Sequence, residues 1–126
     1  MKNNLNNLAL LILRIGFGGF LLTHGIPKFK YLFESPIKFA DPIGLGDTAT
    51  LILALIGEVV APIFIIIGFK TKWAAILSAI TMAVAAFIVH AKDDLATKEH
   101  AILFLIAFVV IFLTGAGNYS IDGRRS

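Results

Sequence analysis

The chain contains no cysteine. Disulfides, thiolate nucleophiles and cysteine-held iron–sulfur clusters are therefore excluded, while the compartment is left open. Charge is also scarce. Only 15% of the 126 residues are charged, against about 25% in soluble domains. Apolar residues make up 58%, where about 45–50% is ordinary. Mean hydropathy is +0.89. The net charge of +3 is small, and its Lys and Arg residues are scattered along the chain, which excludes the basic stripe that a nucleic-acid partner needs. There is no linker rich in Gly, Pro or Ser and no internal repeat, so residues 1–126 read as one domain. What remains is an apolar, aromatic chain, with eleven Phe and one Trp, suited to a lipid bilayer.

A bilayer-crossing helix needs about 20 mostly apolar residues, and hydropathy marks four such spans. The first runs over Leu5–Ile26 and is stopped by Pro27. The second covers Asp47–Phe69, with Asp47 or Thr48 as N-cap. The third is Trp73–Ala91 and the fourth Glu99–Gly115. The first run follows Lys2 as a signal peptide would, but it is long, carries Arg14 and lacks a small-residue cleavage site, so it reads as a retained helix. Lys70-Thr71-Lys72 is too short a joint for anything but antiparallel neighbours. The expected fold is all-α: a transmembrane four-helix up-down bundle. Between helices 1 and 2, Lys28–Gly46 is too polar and proline-broken to span and too aromatic for a solvated loop. It fits an interfacial or re-entrant segment with its rings at headgroup level, or a short amphipathic helix capping the bundle.

Two charges stand inside these spans. Arg14 lies about halfway along the first and Glu58 about halfway along the second. An intramembrane charge costs roughly 2.5–3.5 kcal/mol on insertion scales and so faces the protein interior with a partner. Counting from each helix start puts both at one depth, which predicts a buried Arg14–Glu58 ion pair. The pair reads either as a structural tie between helices 1 and 2 or as a polar site for a ligand or proton. Gly18 and Gly25 share the Arg14 face and allow close helix approach. Pro62 removes the N–H that would bond the Glu58 carbonyl. Gly16, Gly18 and Gly19 thin the helix beside Arg14, and Phe17, Phe20 and Phe29 offer flat walls for a ring. On this reading Arg14, Glu58 and His24 form the ligand-binding set.

Three histidines form a second group. His24 ends span one, His90 ends span three and His100 begins span four, so an up-down bundle brings all three to one membrane face beside Asp93, Asp94 and Glu99. His90 continues the small-residue face Ala75, Ala79, Ala83 and Ala86, which marks a helix–helix interface. His90, His100 and Glu99 are candidates for proton handling. Their spacing makes no compact metal motif, and no metal is expected. The closing segment Gly115–Asp122 reads as a helix stop followed by an interfacial Tyr119.

In order along the chain, these segments resemble the DoxX family of small four-span membrane proteins. Span one, with Arg14, Gly16 and the ending His24-Gly25-Ile26-Pro27-Lys28-Phe29, is similar to the family's opening helix. Gly57-Glu58, then Gly68-Phe69-Lys70-Thr71-Lys72-Trp73-Ala74-Ala75, resembles its Glu-bearing second helix, basic turn and Ala-rich third helix. Glu99 and Gly115-Ala116-Gly117-Asn118-Tyr119-Ser120-Ile121-Asp122 resemble its last helix and ending, with Ala116 where the family commonly has proline. The resemblance implies an integral protein of the cytoplasmic membrane with both termini cytoplasmic. Charge bias does not choose an orientation, since five basic residues fall on each side. It further implies a membrane subunit or helper of a quinone-linked oxidoreductase, with quinone as ligand, no covalently bound cofactor, and a soluble or membrane oxidoreductase as partner. Other relatives act as non-catalytic scaffolds or assembly factors, and that reading stays open beside it. Four short helices enclose little volume, so a larger cavity would call for a homo-oligomer. No residue is assigned a catalytic role.

Overall fold

A computed structural model of the chain describes residues 2–34, 36 and 44–125. Helix α1 spans Lys2–Gly25 and runs on as a 3₁₀ segment, Ile26–Phe33. Helix α2, Asp47–Leu55, passes through one π-helical turn, Ile56–Val60, into α3, Ala61–Ile67. Helix α4, Thr71–Val84, ends in a second π-turn, Ala85–Val89. Helix α5 spans Leu95–Thr114, and the short α6 spans Ile121–Arg125. Among the described residues there is no strand.

Pro27 does not stop the first helix, contrary to expectation. It sits in the first turn of the 3₁₀ segment, where a missing N–H costs little. The helix therefore extends to Phe33, and Tyr31 and Leu32 pack on Leu51, Leu55 and Val59 of the second helix. This part of the expected interfacial segment is helical, with no buried residue. Lys38, Phe39 and Pro42 of that segment lie outside the described residues. The start of α2 is also simpler than expected: Gly46, at φ 99°, is the cap, and no side chain caps the helix.

The interior is built from small side chains. Ala61, Ala74, Ala75, Ala86 and Ala101 are buried with Leu21, Ile65, Met82, Phe104, Phe108 and Ile111. Helix α4 packs along α5 and α3, and α1 packs on α3 and α5. Bulk faces outward: Phe33 is 87% exposed, Trp73 72%, Phe20 69% and Leu113 69%. Small inside and large outside is the pattern of helices whose exterior meets lipid, where close backbone approach drives packing. Among the described residues, three helices are long and apolar enough to cross a membrane: Asn4–Phe33, Asp47–Ile67 and Thr71–Val89.

Two glycines set the approach of the first two helices. A Cβ on Gly25 would lie 2.4 Å from the Glu58 carbonyl oxygen, and one on Gly18 would lie 2.8 Å from Ile66 Cγ1. Gly57 does the same against α4, where Thr81 occupies the space of a side chain, and Ser78 donates to the Gly57 carbonyl at 2.7 Å.

Candidate functional site: a polar cavity at one end of the helices

The expected Arg14–Glu58 ion pair does not form. Each charge finds other partners: Glu58 midway along the second helix, and Arg14 at that helix's C-terminal end. Arg14 is fully buried. Its guanidinium donates to the carbonyls of Ile65 and Ile66, both at 3.0 Å, and to that of Tyr119. Ile65 and Ile66 are in the last turn of α3, whose carbonyls have no helical partner and carry the negative end of the helix dipole. Arg14 therefore caps α3, and Nε is its one buried nitrogen with no hydrogen bond. The acidic group whose charge acts on it is Asp122.

Asp122 performs the complementary task on α4. Its carboxylate accepts the main-chain N–H of Lys70 and of Thr71 and the Thr71 hydroxyl, at 2.9, 2.9 and 2.8 Å, and its own N–H bonds Gly68 O at 2.8 Å. Burial alone would raise the Asp122 carboxyl. The hydrogen bonds from Thr71 and Lys70, with the Lys70 charge, outweigh it and hold the group below the ordinary carboxylate value. The segment Gly115–Asp122, read from sequence as a helix stop, thus folds back as a clasp. Ser120 Oγ accepts from Gly123 N–H at 2.9 Å, and Asn118 N–H bonds Asn7 Oδ1 at 3.0 Å.

Counted from their helix starts, Leu5 and Thr48, Arg14 and Glu58 come to one depth, but the packing sets a different register. Because the helix continues to Phe33 and α2 packs against that extension, the residue opposite Glu58 is Gly25. Arg14 is carried towards Ile66, about two turns away.

Glu58, 4% exposed, is paired instead with Lys28, Nζ to Oε2 at 2.6 Å. Lys28, which opens the segment read from sequence as interfacial, stands one helical turn beyond His24, and that spacing is the signal that places it at the same end. The pair opens on a cavity of about 140 Å³ lined by His24, Lys28, Glu58, His90 and His100, with Leu21, Met82, Ala85, Ala101 and Phe104 as apolar wall. The three histidines do come together. His24 and His100 stack with ring centroids 5.3 Å apart and planes 15° from parallel, and Phe104 meets His24 edge-on at 5.8 Å. His90 Nδ1 is 2.7 Å from Asp93 Oδ2. Glu99 is exposed and does not line the cavity.

Of the ligand-binding set, Glu58 and His24 reach this space and Arg14 does not. The expected aromatic walls differ as well. Phe20 faces outward, Phe29 is exposed, and Phe17 packs edge-on against Phe104. Gly16 has open space over it, but that space is an outer groove it shares with Ile12, Leu13 and Phe20. Both π-turns border the cavity: one carries Glu58, and the other begins at Ala85. Such turns bulge a helix by one residue and recur at functional sites. Here the first coincides with Pro62, which cannot supply the N–H that Glu58 O would take in an α-helix. Among the described residues no three carboxylate or imidazole groups are grouped as a metal would require.

A model of the DoxX family matches residues 9–91. The chain belongs to the DoxX family. A protein of Haemophilus influenzae, itself described only as uncharacterized, is 30% identical over 122 residues, covering 91% of this chain and 89% of its own. No solved structure matches the chain. DoxX membership and the apolar exterior agree, and the protein is an integral membrane protein.

Proposed function

We propose that this DoxX protein is a four-span, up-and-down membrane protein that serves as the membrane subunit or helper of a quinone-linked oxidoreductase, taking a quinone head group in the cavity between His24, Lys28 and Glu58. One observation carries the reading: a buried carboxylate, an ammonium and three imidazoles converge on a small apolar-walled space. Ligand sites combine a mostly apolar wall with a few placed polar groups. Lys28 and a histidine N–H can donate to quinone oxygens. Leu21, Met82 and Phe104 can lie against the ring. Glu58, His90 and His100 can carry protons. Electrons would come from a partner oxidoreductase, and this chain's share is position and protons. Arg14, placed in the site by the sequence, belongs instead to the clasp. A scaffold or assembly role is the second reading, favoured by that clasp, which joins α1, α3, α4 and the tail without reaching the cavity.

The proposed orientation sets both termini in the cytoplasm and the chain in the cytoplasmic membrane, with the cavity near the opposite face; the family resemblance supports it. Mass spectrometry of lipids co-purified with the protein, followed by titration with a short-chain quinone, tests the ligand. Binding should weaken about tenfold, the effect of about 1.4 kcal/mol, in His24→Ala and in Glu58→Gln. Equal binding in both folded variants would favour the scaffold.

A further inference from the structure

The two ends of the protein carry charge differently. At the cavity end, Glu34, Asp47, Glu58, Asp93, Asp94 and Glu99 stand among Lys28, Lys30, Lys92 and Lys98. Ion pairs form there, Lys28 with Glu58 and His90 with Asp93. At the clasped end, among the described residues, the exposed bases are Lys70, Lys72 and Arg124, and the one carboxylate is Asp122. That carboxylate is already engaged by the N–H groups of Lys70 and Thr71 and by the Thr71 hydroxyl. Lys70, Lys72 and Arg124 enter no ion pair.

Their surroundings place them at headgroup depth. Trp73, next to Lys72, is 72% exposed, and Tyr119, in the clasp, is 47% exposed. Trp and Tyr rings collect where a membrane meets water. Further along the same helices the exposed surface is apolar, with Leu77 and Ile80 on α4 and Leu113 on α5. The Lys70 ammonium lies 5.6 Å from the centre of the Phe69 ring. The Lys72 stem rests over Gly115, its Cε 3.4 Å from where a Cβ there would stand. Such side chains lay their stems on apolar surface and keep their charges in the polar layer. Lys70 and Lys72 belong to the turn before α4 and its first turn, and Arg124 to α6. Asp122 ties these segments together through Gly68, Lys70 and Thr71. Bases more than 50 residues apart in sequence thus share one end.

We propose that the clasp assembles a docking surface for anionic phospholipid, in which Lys70, Lys72 and Arg124 hold headgroup phosphates. Ammonium and guanidinium groups bind phosphate oxygens by charge-assisted hydrogen bonds. The acyl chains lie along the apolar face beside Trp73. Asp122 touches no lipid and is a positioning residue. The surface is at the opposite end from the cavity and needs no quinone.

Spin-labelled lipids in phosphatidylcholine vesicles test it. Electron paramagnetic resonance reads the fraction of each labelled lipid slowed by the reconstituted protein. Labelled phosphatidylglycerol should be held about fivefold more tightly than labelled phosphatidylcholine, roughly the effect of one basic residue at an anionic surface, and the preference should shrink as salt is raised. Lys70→Gln/Lys72→Gln/Arg124→Gln should bring the two lipids to parity. If that variant does not fold, Lys72→Gln/Arg124→Gln should still lower the preference. Lys70→Arg/Lys72→Arg should keep it, and Lys30→Gln/Lys92→Gln, at the cavity end, should leave it unchanged. Asp122→Ala separates an assembled surface from plain charge attraction. It removes a negative charge, so attraction alone would strengthen the preference, whereas loss of the clasp should weaken it. Equal retention of both lipids by wild type, an undiminished preference in a folded Gln variant, or a stronger one in Asp122→Ala overturns the proposal. So does displacement of labelled phosphatidylglycerol by millimolar inorganic phosphate, which would mark a site for a free anion.

Discussion

Arg14 and Asp122 clamp the same turn from its two sides. Arg14 caps the last carbonyls of α3 and Asp122 the first N–H groups of α4, with Gly68 and Lys70, both at positive φ, between them. Cation at a helix C-terminus and anion at a helix N-terminus are the favourable placements for the helix dipole. A charge whose place in a span suggests a partner on the facing helix is here employed on main-chain groups, and the protein separates into a clasped end and a cavity end.

The separation makes a quantitative prediction. Arg14→Met should destabilise the protein in detergent, at about 1–3 kcal/mol for each carbonyl left without a partner. Combined with Glu58→Met, its effect should add to within about 0.5 kcal/mol, as for sites without shared partners. Lys28→Met with Glu58→Met should instead depart from additivity by about 0.5–3 kcal/mol. Double-mutant cycles on thermal or denaturant unfolding measure both.

Helix spacing gives a second. Gly25→Ala forces a methyl against the Glu58 carbonyl and should cost about 1–3 kcal/mol, the usual penalty of overpacking. Gly16→Ala meets nothing within 4 Å, and should be neutral or stabilising by up to about 1 kcal/mol through helix propensity. Unfolding midpoints of the two variants should move in opposite directions or differ by that margin.

The clasp has its own pH dependence. The Asp122 carboxyl is held below its ordinary value in the folded protein, so its contribution is fully present above the unfolded value, about 3.9, and is lost as pH falls through the lower folded value. Stability should therefore drop in acid below about pH 4, and Asp122→Asn should flatten that part of the profile. Asp122→Ala should cost about 1 kcal/mol at neutral pH, the typical value of a helix N-cap. A stability profile over acid pH for the three proteins is the check.

Much of this was legible in the sequence because it depends on period and spacing. Hydropathy located the long apolar helices, Gly18 and Gly25 marked the contact face, and the positions of His24, His90 and His100 at helix ends placed them together. Pro27 looks like a stop although proline is tolerated in a first turn, and so Lys28 falls outside the first span. The Arg14–Glu58 pair follows from equal counts from Leu5 and Thr48, and such counts do not reveal how far one helix slides along the other. The partners of Arg14 are carbonyls, which every residue carries and no residue type announces. The tail was legible as turns but not as a clasp, since the roles of Ser120 and Asp122 depend on where Gly68 and Thr71 lie in space.

Photo-crosslinking with an azido-quinone, followed by peptide mapping, reads whether the cavity beside Lys28 and Glu58 takes a quinone. Label should fall on the segments that line the cavity, His24–Lys28, Glu58, Ala85–His90 and His100–Phe104, and be competed away by unlabelled quinone. Label confined to the outer groove at Ile12, Gly16 and Phe20, or spread without competition over the lipid-facing surface, would show that the cavity takes no quinone.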